Sequence, residues 1–410
     1  DAFDDVFALQ LQTDGKIILA GSTYTGENTG PGGSSIIHAF AIRYLPNGTI
    51  DSSFATNGVF RVTDYNQSEF NAVLIQNDQS LRLISYSDGI TYITKLTSTG
   101  VLDTSFGTNG SQAISDLNTF FFYNRGAIEL ADGSILSYGS DDTGFSDFKV
   151  TCMKTDASGN RITSFGQNGI ASFNIDADPQ IYEMLTHAQE LPDGRIVLGG
   201  YATEKMIIRL KADGTPDSTF ALNGVLVHNF PHNDLVVQPT GKILVGGHQQ
   251  IAPVNYSLVV TRFNADGTFD NSFNGTGNFE FDFSNGVETL QCMVLTAPNR
   301  LLIGGNTSFV NNYTHALLAE IDMSNTLNVP ENKADNISLY PNPASDVLTI
   351  STVDESITTI QLTDAAGRII FTHPAQKNTN LSLANLPAGM YQVIFTTNSQ
   401  ERISKKLIKN

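Results

Sequence analysis

Residues 45–58 read LPNGTIDSSFATNG, and the chain repeats this pattern at 97–110, 156–169, 211–224 and 264–277. In every copy a phenylalanine follows the first glycine by six positions and precedes a second glycine by four. Successive first glycines lie 52, 59, 55 and 53 residues apart, so the chain is an array of similar units. The repeated phenylalanines are Phe54, Phe106, Phe165, Phe220 and Phe273.

Each unit contains four extended segments, which in the first unit are VFALQLQ, KIILAGS, FAIRYL and VFRVT. Short apolar runs rich in β-branched and aromatic residues, bounded by Asp-Gly or Asn-Gly, are typical of strands joined by tight turns. One small four-stranded sheet per repeat predicts an all-β fold, a β-propeller. We expect six blades over residues 1–327, the last of them incomplete.

The motif phenylalanine is predicted to be a buried structural plug, contributing about 1.5–3 kcal/mol. The aspartate three positions before it, such as Asp51, is expected to cap the turn. A calcium loop is the alternative, because Asn264 and Asp266 resemble half of one, but further oxygen ligands and a closing glutamate are absent. In the third copy Ile162 replaces the aspartate, so no cofactor is expected.

The units resemble the delta-60 repeats of large secreted bacterial proteins through their DG-K-I-L-x-A-G and G-x-x-D-x-S-F-G-x-x-G patterns. This resemblance covers roughly residues 5–325 and implies an architecture, not an activity. The sixth unit begins near Leu290 and ends without the phenylalanine motif, so its outermost strand is missing. Because an open sheet edge invites aggregation, we expect residues upstream of Asp1 to supply that strand.

Charge and cysteine content restrict the classes of partner. Lys plus Arg number 23 against 41 for Asp plus Glu, and the net charge of −18 disfavours nucleic acid and anionic lipid as partners. Cys152 and Cys292 fall in the third and sixth units, on opposite sides of a six-bladed ring, so two free, buried thiols are predicted. No apolar run reaches the roughly 20 residues that span a membrane. No signal peptide opens the chain, so the natural protein is expected to begin upstream.

The connections between strands predict two different faces. The first and third connections of each unit keep nearly constant lengths and form what we call the uniform face; the second and fourth vary and form the variable face. Binding residues are expected on the variable face, where aromatic rings beside Asp and Asn suit neutral sugars. The same aromatics could instead pin loops to the blades. The candidate ligand residues are Tyr65, Phe121, Tyr123, Asp141, Phe145, Tyr182, Tyr256 and Tyr313.

Catalytic patterns are sparse. His228 and His232 have a metal-like spacing, but Pro231 prevents the helix that would place both rings on one side. Carboxylate pairs such as Asp141 and Asp142 could serve a glycosidase if they lay about 5–10 Å apart. We predict a non-enzymatic binding or adhesion module without catalytic or metal-binding residues. An extracellular polysaccharide hydrolase or lyase on a propeller scaffold is the alternative.

Residues 328–336 (NVPENKADN) lack a strand pattern and are predicted to be a linker. Residues 337–410 contain alternating strands typical of a small immunoglobulin-like sandwich. This segment closely resembles the type A C-terminal sorting domain of type IX secretion. The matching residues are Tyr340, Pro341, Asn342, Pro343, Asp346, Gly367, Gly389, Tyr391, Lys406, Leu407 and Lys409.

The resemblance implies export through the periplasm and across the outer membrane, to the cell surface or the medium. The implied partners are the type IX outer-membrane translocon, its β-barrel shuttle protein and a sortase, which cuts off the sorting domain. A glycan or another surface ligand would be the partner of the propeller itself.

Overall fold

The computed structural model describes residues 4–28, 35–62, 68–87, 90–115, 122–142, 148–176, 178, 180–252, 255–282, 286–308, 314–323, 337–352, 357–364, 368–376, 378–397 and 402–410. The chain divides into two compact units, Asp1–Ser324 and Asn325–Asn410. The predicted linker at 328–336 lies outside the described residues, so its bounds stay a prediction.

The first unit consists of six blades, numbered 1 to 6 in chain order. Blades 1 to 4 are separate four-stranded antiparallel sheets, whereas a single parallel pairing between Tyr256 and Val287 joins blades 5 and 6 into one seven-stranded sheet. Blades 1 and 2 contain β1 (Asp4–Leu11), β2 (Ile17–Asn28), β3 (Ser35–Tyr44), β4 (Val59–Arg61), β5 (Ser68–Ile75), β6 (Leu81–Ser87), β7 (Ile90–Leu96) and β8 (Ser111–Ala113). Blades 3 and 4 contain β9 (Phe122–Glu129), β10 (Ile135–Asp142), β11 (Phe148–Thr155), β12 (Ile170–Phe173), β13 (Met184–Glu190), β14 (Ile196–Tyr201), β15 (Lys205–Leu210) and β16 (Val225–His228). Blades 5 and 6 contain β17 (Asp234–Val237), β18 (Ile243–Ala252), β19 (Asn255–Phe263), a short 3-10 helix (Phe273–Gly275), β20 (Asn278–Phe281), β21 (Val287–Ala297), β22 (Arg300–Ser308) and β23 (Thr314–Asp322).

Blades 1 to 5 each pair four consecutive strands, and blade 6 pairs three in the described residues. Side chains alternate between the two sides of each blade, and consecutive blades share a hydrophobic core. In β14, Ile196 and Leu198 pack against blade 3, whereas Val197 packs against blade 5. Five such cores join the blades in the described part of the chain. The prediction of an all-β propeller is confirmed, and in the described residues it has six blades, of which the last contains three strands.

The two outermost blades leave a sheet face exposed. Leu9 of β1 is 60% exposed, whereas Val73, at the equivalent position of β5, is 1% exposed because blade 1 covers it. On blade 6, Val294 is 53% exposed, and its equivalent Leu74 is 6% exposed. Among the described residues no core joins blade 6 to blade 1. Nothing in the structure tests the strand expected upstream of Asp1.

The exposed face of blade 6 corrects one prediction. Cys152 is buried and free, but Cys292 in β21 is exposed, so the prediction that both thiols are buried is wrong for Cys292. The reason is its position: Ala72, the equivalent residue of blade 2, packs against the following blade, and no described blade follows Cys292.

In blades 1, 4 and 5 the motif phenylalanine forms part of a three-residue cluster. In blade 4 the Arg209 guanidinium lies 4.8 Å from the centre of the Phe220 ring and donates from Nε to Asp217 at 2.8 Å. Asp217 also accepts from the Thr219 backbone N–H, as a turn cap does. The same cluster recurs in blades 1 and 5 as Arg43–Asp51–Phe54 and Arg262–Asp270–Phe273.

In blades 1, 3 and 4 the motif also joins the blade to the next one. A Cβ on Gly100 would lie 2.6 Å from the Phe54 ring, so only glycine admits the ring of the preceding blade. The Ala55 N–H donates to Thr99 O at 2.8 Å, and Arg43 Nη1 donates to Ser98 O at 2.6 Å. Equivalent backbone bonds run from Gly166 to Asp213 and from Ala221 to Asp266.

Phe106 and the third copy depart from this pattern. Phe54, Phe165, Phe220 and Phe273 are at most 1% exposed, but Phe106 is only half-buried, and Gln112 is the residue nearest to Gly159, the following first glycine. In the third copy, where Ile162 replaces the aspartate, Lys154 pairs instead with Asp132 at 2.8 Å. The ion pair therefore survives the substitution with a different carboxylate.

A β-bulge near the start of the first strand explains the glycine that ends the L-x-A-G pattern. The register shifts there in blades 1, 2, 3, 4 and 6. At the bulge, the backbone of the first strand lies very close to the glycine of the second strand. A Cβ on Gly139 would lie 1.8 Å from Tyr123 O, and a Cβ on Gly200 would lie 2.2 Å from Met184 O. Without a side chain, glycine permits this approach.

The second unit is a sandwich of two sheets. Its strands are β24 (Ile337–Tyr340), β25 (Val347–Thr352), β26 (Ile357–Asp364), β27 (Ile369–Pro374), β28 (Asn378–Ser382), β29 (Gly389–Thr397) and β30 (Arg402–Lys409). One sheet has the order β24-β25-β28 and the other β27-β26-β29-β30. Their facing sides enclose one core, which includes Leu348, Leu362, Phe395 and Leu407. The predicted all-β sandwich is confirmed.

Candidate functional site

Side chains on the uniform face are used to link neighbouring blades. Gln76 Nε2 donates to Glu129 Oε2 at 2.9 Å, between blades 2 and 3. The Ala131 N–H donates to Glu190 at 2.6 Å, and the Val237 N–H donates to Gln189 at 2.8 Å. These bonds join blades 3 to 4 and 4 to 5, so this face has a structural role.

On the variable face, four of the eight candidate ligand residues lie outside the described residues. They are Tyr65, Phe121, Phe145 and Tyr313. Of the other four, the structure brings Tyr123 and Tyr182 into one aromatic cluster and places Asp141 and Tyr256 elsewhere. The cluster lies where strands meet the second and fourth connections of blades 2, 3 and 4.

Tyr123 forms the first half of this cluster. Its ring stacks on Tyr86 with centroids 4.6 Å apart and an interplanar angle of 27°, and it stays 40% exposed. Burial, together with a hydrogen bond to the Tyr123 hydroxyl, raises the pKa of Tyr86, so that phenol stays neutral. Tyr182 contributes electrostatically to the same increase in the pKa of Tyr86.

Tyr182 forms the second half. Its ring meets Phe148 edge-on at 5.2 Å and lies 6.5 Å from Tyr201, yet it is 40% exposed. The Lys205 ammonium sits 5.0 Å from the centre of the Tyr201 ring, a cation–π contact. We call Tyr86, Tyr123, Phe148, Tyr182 and Tyr201 the tyrosine platform.

Sequence reasoning missed three members of the platform. Tyr86 and Tyr201 stand at the ends of second strands, and Phe148 starts a third strand. All three looked like strand residues in the sequence. The available signal was their place next to a variable second connection, where an aromatic side chain reaches the surface.

Asp141 and Tyr256 do not belong to the platform. Asp141 is buried and lines a groove of about 430 Å³ with Ile170 and Pro216 between blades 3 and 4. Tyr256 is half-buried on β19, with its ring 6.0 Å from that of His248. The side chain of Asp142 lies outside the described residues, so the structure does not measure the carboxylate pair considered for a glycosidase.

A histidine–aspartate cluster joins blades 4, 5 and 6. His187 Nε2 lies 3.0 Å from Asp234 Oδ1, and Thr186 Oγ1 lies 2.8 Å from His187 Nδ1. Asp234 also accepts from the Met293 N–H. The His232 ring stacks on His187 and on His228, with centroids 6.0 and 5.4 Å away. Parallel stacked rings do not converge on one ion, and the described residues contain no group of three or more His, Cys, Asp or Glu arranged to hold a metal.

Burial keeps two histidines of this cluster, His228 and His232, neutral. It lowers the pKa of His228 to about 4, with Lys205 adding to the effect. Burial also holds the pKa of His232 well below its usual value, and within the described part of the chain neither of its ring nitrogens has a hydrogen-bond partner. His187 and Asp234 occupy equivalent positions of β13 and β17, where blades 1 to 3 have Ala8, Ala72 and Gly126. Aligning the repeats would have revealed this exchange of small for polar residues.

The buried carboxylate nearest to the platform is structural. Glu183 is fully buried and accepts from the N–H groups of Ile175 at 2.8 Å, Asp176 at 2.5 Å and Val150 at 3.4 Å. Burial raises its pKa. Because its oxygens already bind the loop between blades 3 and 4, Glu183 holds that loop next to Tyr182.

The sorting signature divides into buried and exposed residues. Leu407 is in the core, and Tyr391 is buried with its hydroxyl donating to Pro387 O at 2.8 Å. The buried stem of Lys409 brings Nζ to 3.9 Å from the exposed Asp346. The exposed members are Tyr340, Pro341, Asn342, Pro343, Gly389 and Lys406, and Gly367 lies outside the described residues.

Comparison with protein families identifies both parts of the chain. Residues 338–410 match the family described as a secretion system C-terminal sorting domain. Residues 12–54, 191–220 and 238–273 match a domain of unknown function (DUF5122) described as a beta-propeller. Each of these matches ends on a motif phenylalanine, which confirms the resemblance to delta-60 repeats. A search of curated proteins found no match.

Solved structures similar to the chain include a protein of unknown function from Dyadobacter fermentans, with 14% identity over 78% of this chain and 94% of the other and a TM-score of 0.48. A subtype N11 neuraminidase-like protein of an H18N11 flat-faced bat isolate has 7% identity, coverage of 76% and 85%, and a TM-score of 0.42. In the part of the chain that the structure describes, no helix is long and apolar enough to span a membrane. The chain carries DUF5122 β-propeller repeats followed by a type IX C-terminal sorting domain, which directs it across the outer membrane to the cell surface or the medium.

Proposed function

We propose that the exported propeller is a binding or adhesion module that takes up glycan on the tyrosine platform. The observation that carries this proposal is the pair of rings, Tyr123 and Tyr182, each 40% exposed and each braced from the side by a second aromatic. Braced, exposed rings present a fixed apolar surface to a sugar face at low entropic cost. The net charge of −18 favours neutral sugars over polyanions.

Titration of the exported protein with oligosaccharides, guided by a glycan array, tests this function. Tyr123→Ala and Tyr182→Ala should each weaken binding by about tenfold, equivalent to about 1.4 kcal/mol. Tyr123→Phe should keep most of the affinity, because the ring is retained. Tyr44→Ala is the matched control, since Tyr44 is a half-buried tyrosine next to a uniform-face turn. Equal loss in the control and platform variants, or no glycan bound by the wild type, would exclude the proposal.

Product analysis on the bound glycans separates binding from the alternative, a polysaccharide hydrolase or lyase. A binding module releases no shortened or unsaturated product on prolonged incubation. Turnover that persists in the purified protein would make the propeller an enzyme.

We also propose that the sorting domain engages the outer-membrane translocon and its β-barrel shuttle protein, and that a sortase then removes it. The match over residues 338–410 supports this route. Mass spectrometry of the exported protein should find a C-terminus upstream of Ile337.

A further inference from the structure

One face of the sorting domain is both apolar and exposed. Met390 pairs with Ile408, and Gln392 pairs with Lys406, on the outer side of strands β29 and β30. Met390 is 53% exposed and Ile408 39%, whereas the alternating residues Tyr391, Val393 and Leu407 fill the core. We call Met390, Gln392, Lys406 and Ile408 the outer face.

The outer face is accessible on strands β29 and β30. Gln392 of β29 pairs with Thr363 of β26, but Thr363 is only 2% exposed. A register shift between Leu362 and Thr363 precedes the pairing with Ile369 of β27, which is 57% exposed. Neighbouring exposed apolar side chains such as Met390 and Ile408 mark protein interaction sites.

The two ends of the sorting signature meet at the edge of this face. Asn342 Nδ2 donates to Lys406 O at 2.8 Å, and the Ile408 N–H donates to Asn342 Oδ1 at 2.9 Å. The Ala344 N–H donates to Ile408 O at 2.8 Å. Residues 342–344 thus cover the free edge of β30 here, so a partner strand cannot pair with it at this point. The accessible surface is the face of the sheet.

We propose that the outer face is the surface by which the sorting domain docks on a protein of the outer-membrane export machinery. Sorting requires that a protein contact the domain, and the buried signature residues Tyr391 and Leu407 are out of reach. Lys406 is an exposed signature residue that lies beside apolar side chains on this face. The partner therefore offers an apolar patch to Met390 and Ile408 and a carboxylate to Lys406. This inference rests on the proposed engagement of the sorting domain with the export machinery and does not depend on glycan binding.

Export of the full precursor from its own host tests the docking surface. Met390→Glu and Ile408→Glu should each lower the secreted amount at least tenfold and leave folded protein in the periplasm. Val347→Glu is the matched control: Val347 is 51% exposed on the other sheet and should tolerate the same substitution with normal export. Protease resistance of the accumulated protein shows whether the sorting domain is folded.

Charge and contact provide two further measurements. Lys406→Glu should impair export more than Lys406→Gln, because it repels a carboxylate as well as losing the attraction. A photo-crosslinking residue at 390 should capture a component of the export machinery, and one at 347 should not. Normal secretion of both Met390→Glu and Ile408→Glu would overturn the proposal, as would equal loss of export for Val347→Glu.

Discussion

At the scale of single residues, the motifs of blades 1, 4 and 5 each contain an ion pair that holds a guanidinium over a phenyl ring. Burial of Asp217 opposes its ionisation, but hydrogen bonds from Thr219 and Arg195 hold its pKa well below the usual range. The charged aspartate fixes Arg209, and the guanidinium closes the pocket of Phe220. A side chain that only caps a turn would not need this buried cation.

Replacing Phe220 by alanine should cost about 3–5 kcal/mol in the free energy of unfolding, because the ring is fully buried and leaves a cavity. Phe106→Ala should cost less, since that ring is only half-buried. Urea denaturation followed by circular dichroism measures both. Equal costs for the two variants would show that burial of the ring does not set its contribution.

At the scale of elements, the same glycine position has two physical roles. Gly48 and Gly100 both have a left-handed backbone, with φ of 82° and 81°. A Cβ on Gly100 would collide with the Phe54 ring at 2.6 Å, whereas a Cβ on Gly48 would meet nothing within 4 Å among the described residues. The turn requires both glycines, but only Gly100 also receives the phenylalanine of a neighbouring blade.

This pair allows packing between blades to be measured separately from backbone strain. Gly48→Ala should cost about 1–2 kcal/mol for the left-handed conformation. Gly100→Ala should lower the free energy of unfolding by about 1–3 kcal/mol more than Gly48→Ala does, because the added methyl group overpacks the interface between blades 1 and 2. Urea denaturation of both variants gives the difference. If Gly100→Ala were no worse than Gly48→Ala, the phenyl ring would not be locked against the next blade.

The histidine stack between blades 4 and 5 should make the propeller sensitive to mild acid. The pKa of His228 is 6.5 in the unfolded chain, and burial lowers it to about 4 in the folded protein. As the pH falls, the unfolded chain therefore binds the proton first. The stability that neutral His228 contributes to the folded state is fully present above about pH 6.5. It is lost as the pH falls towards 4, and the loss reaches about 3 kcal/mol in the free energy of unfolding. His187, Asp234 and Lys205 are the charged or titratable groups that face the stack.

Thermal unfolding between pH 7.5 and 4.5 measures this effect. The midpoint should fall with pH in the wild type and fall less in His228→Phe, while the exposed-site control His315→Gln keeps the wild-type slope. The pKa of Asp217 is lowered from 3.8, so the stability it contributes is lost only below about pH 4, outside this window. An unchanged slope in His228→Phe would place the acid sensitivity elsewhere.

At the scale of the whole molecule, export and folding belong to separate units. Each unit has its own hydrophobic cores, and the sorting domain encloses one between its two sheets. The repeats stabilise each other through contacts between neighbours, as in other repeat architectures.

Deleting residues 337–410 should therefore abolish export and leave a folded propeller. Cell fractionation locates the truncated protein, and its circular dichroism and unfolding midpoint report the fold. Secretion of the truncated protein would show that the sorting domain is dispensable. Loss of its cooperative unfolding would show that the propeller needs the second unit.

The sequence alone determined the repeat, the blade number and the sorting tail, because glycine, phenylalanine and Asp-Gly turns at fixed spacing encode local geometry that tolerates few substitutes. It also located Tyr123 and Tyr182 on a variable face. Only the tertiary structure decided which side chains meet. The partners of Tyr182 and His187 stand on different strands or blades, and their distance along the chain carries no signal. The burial of Asp141 and the exposure of Cys292 were set by whether a neighbouring blade covers them.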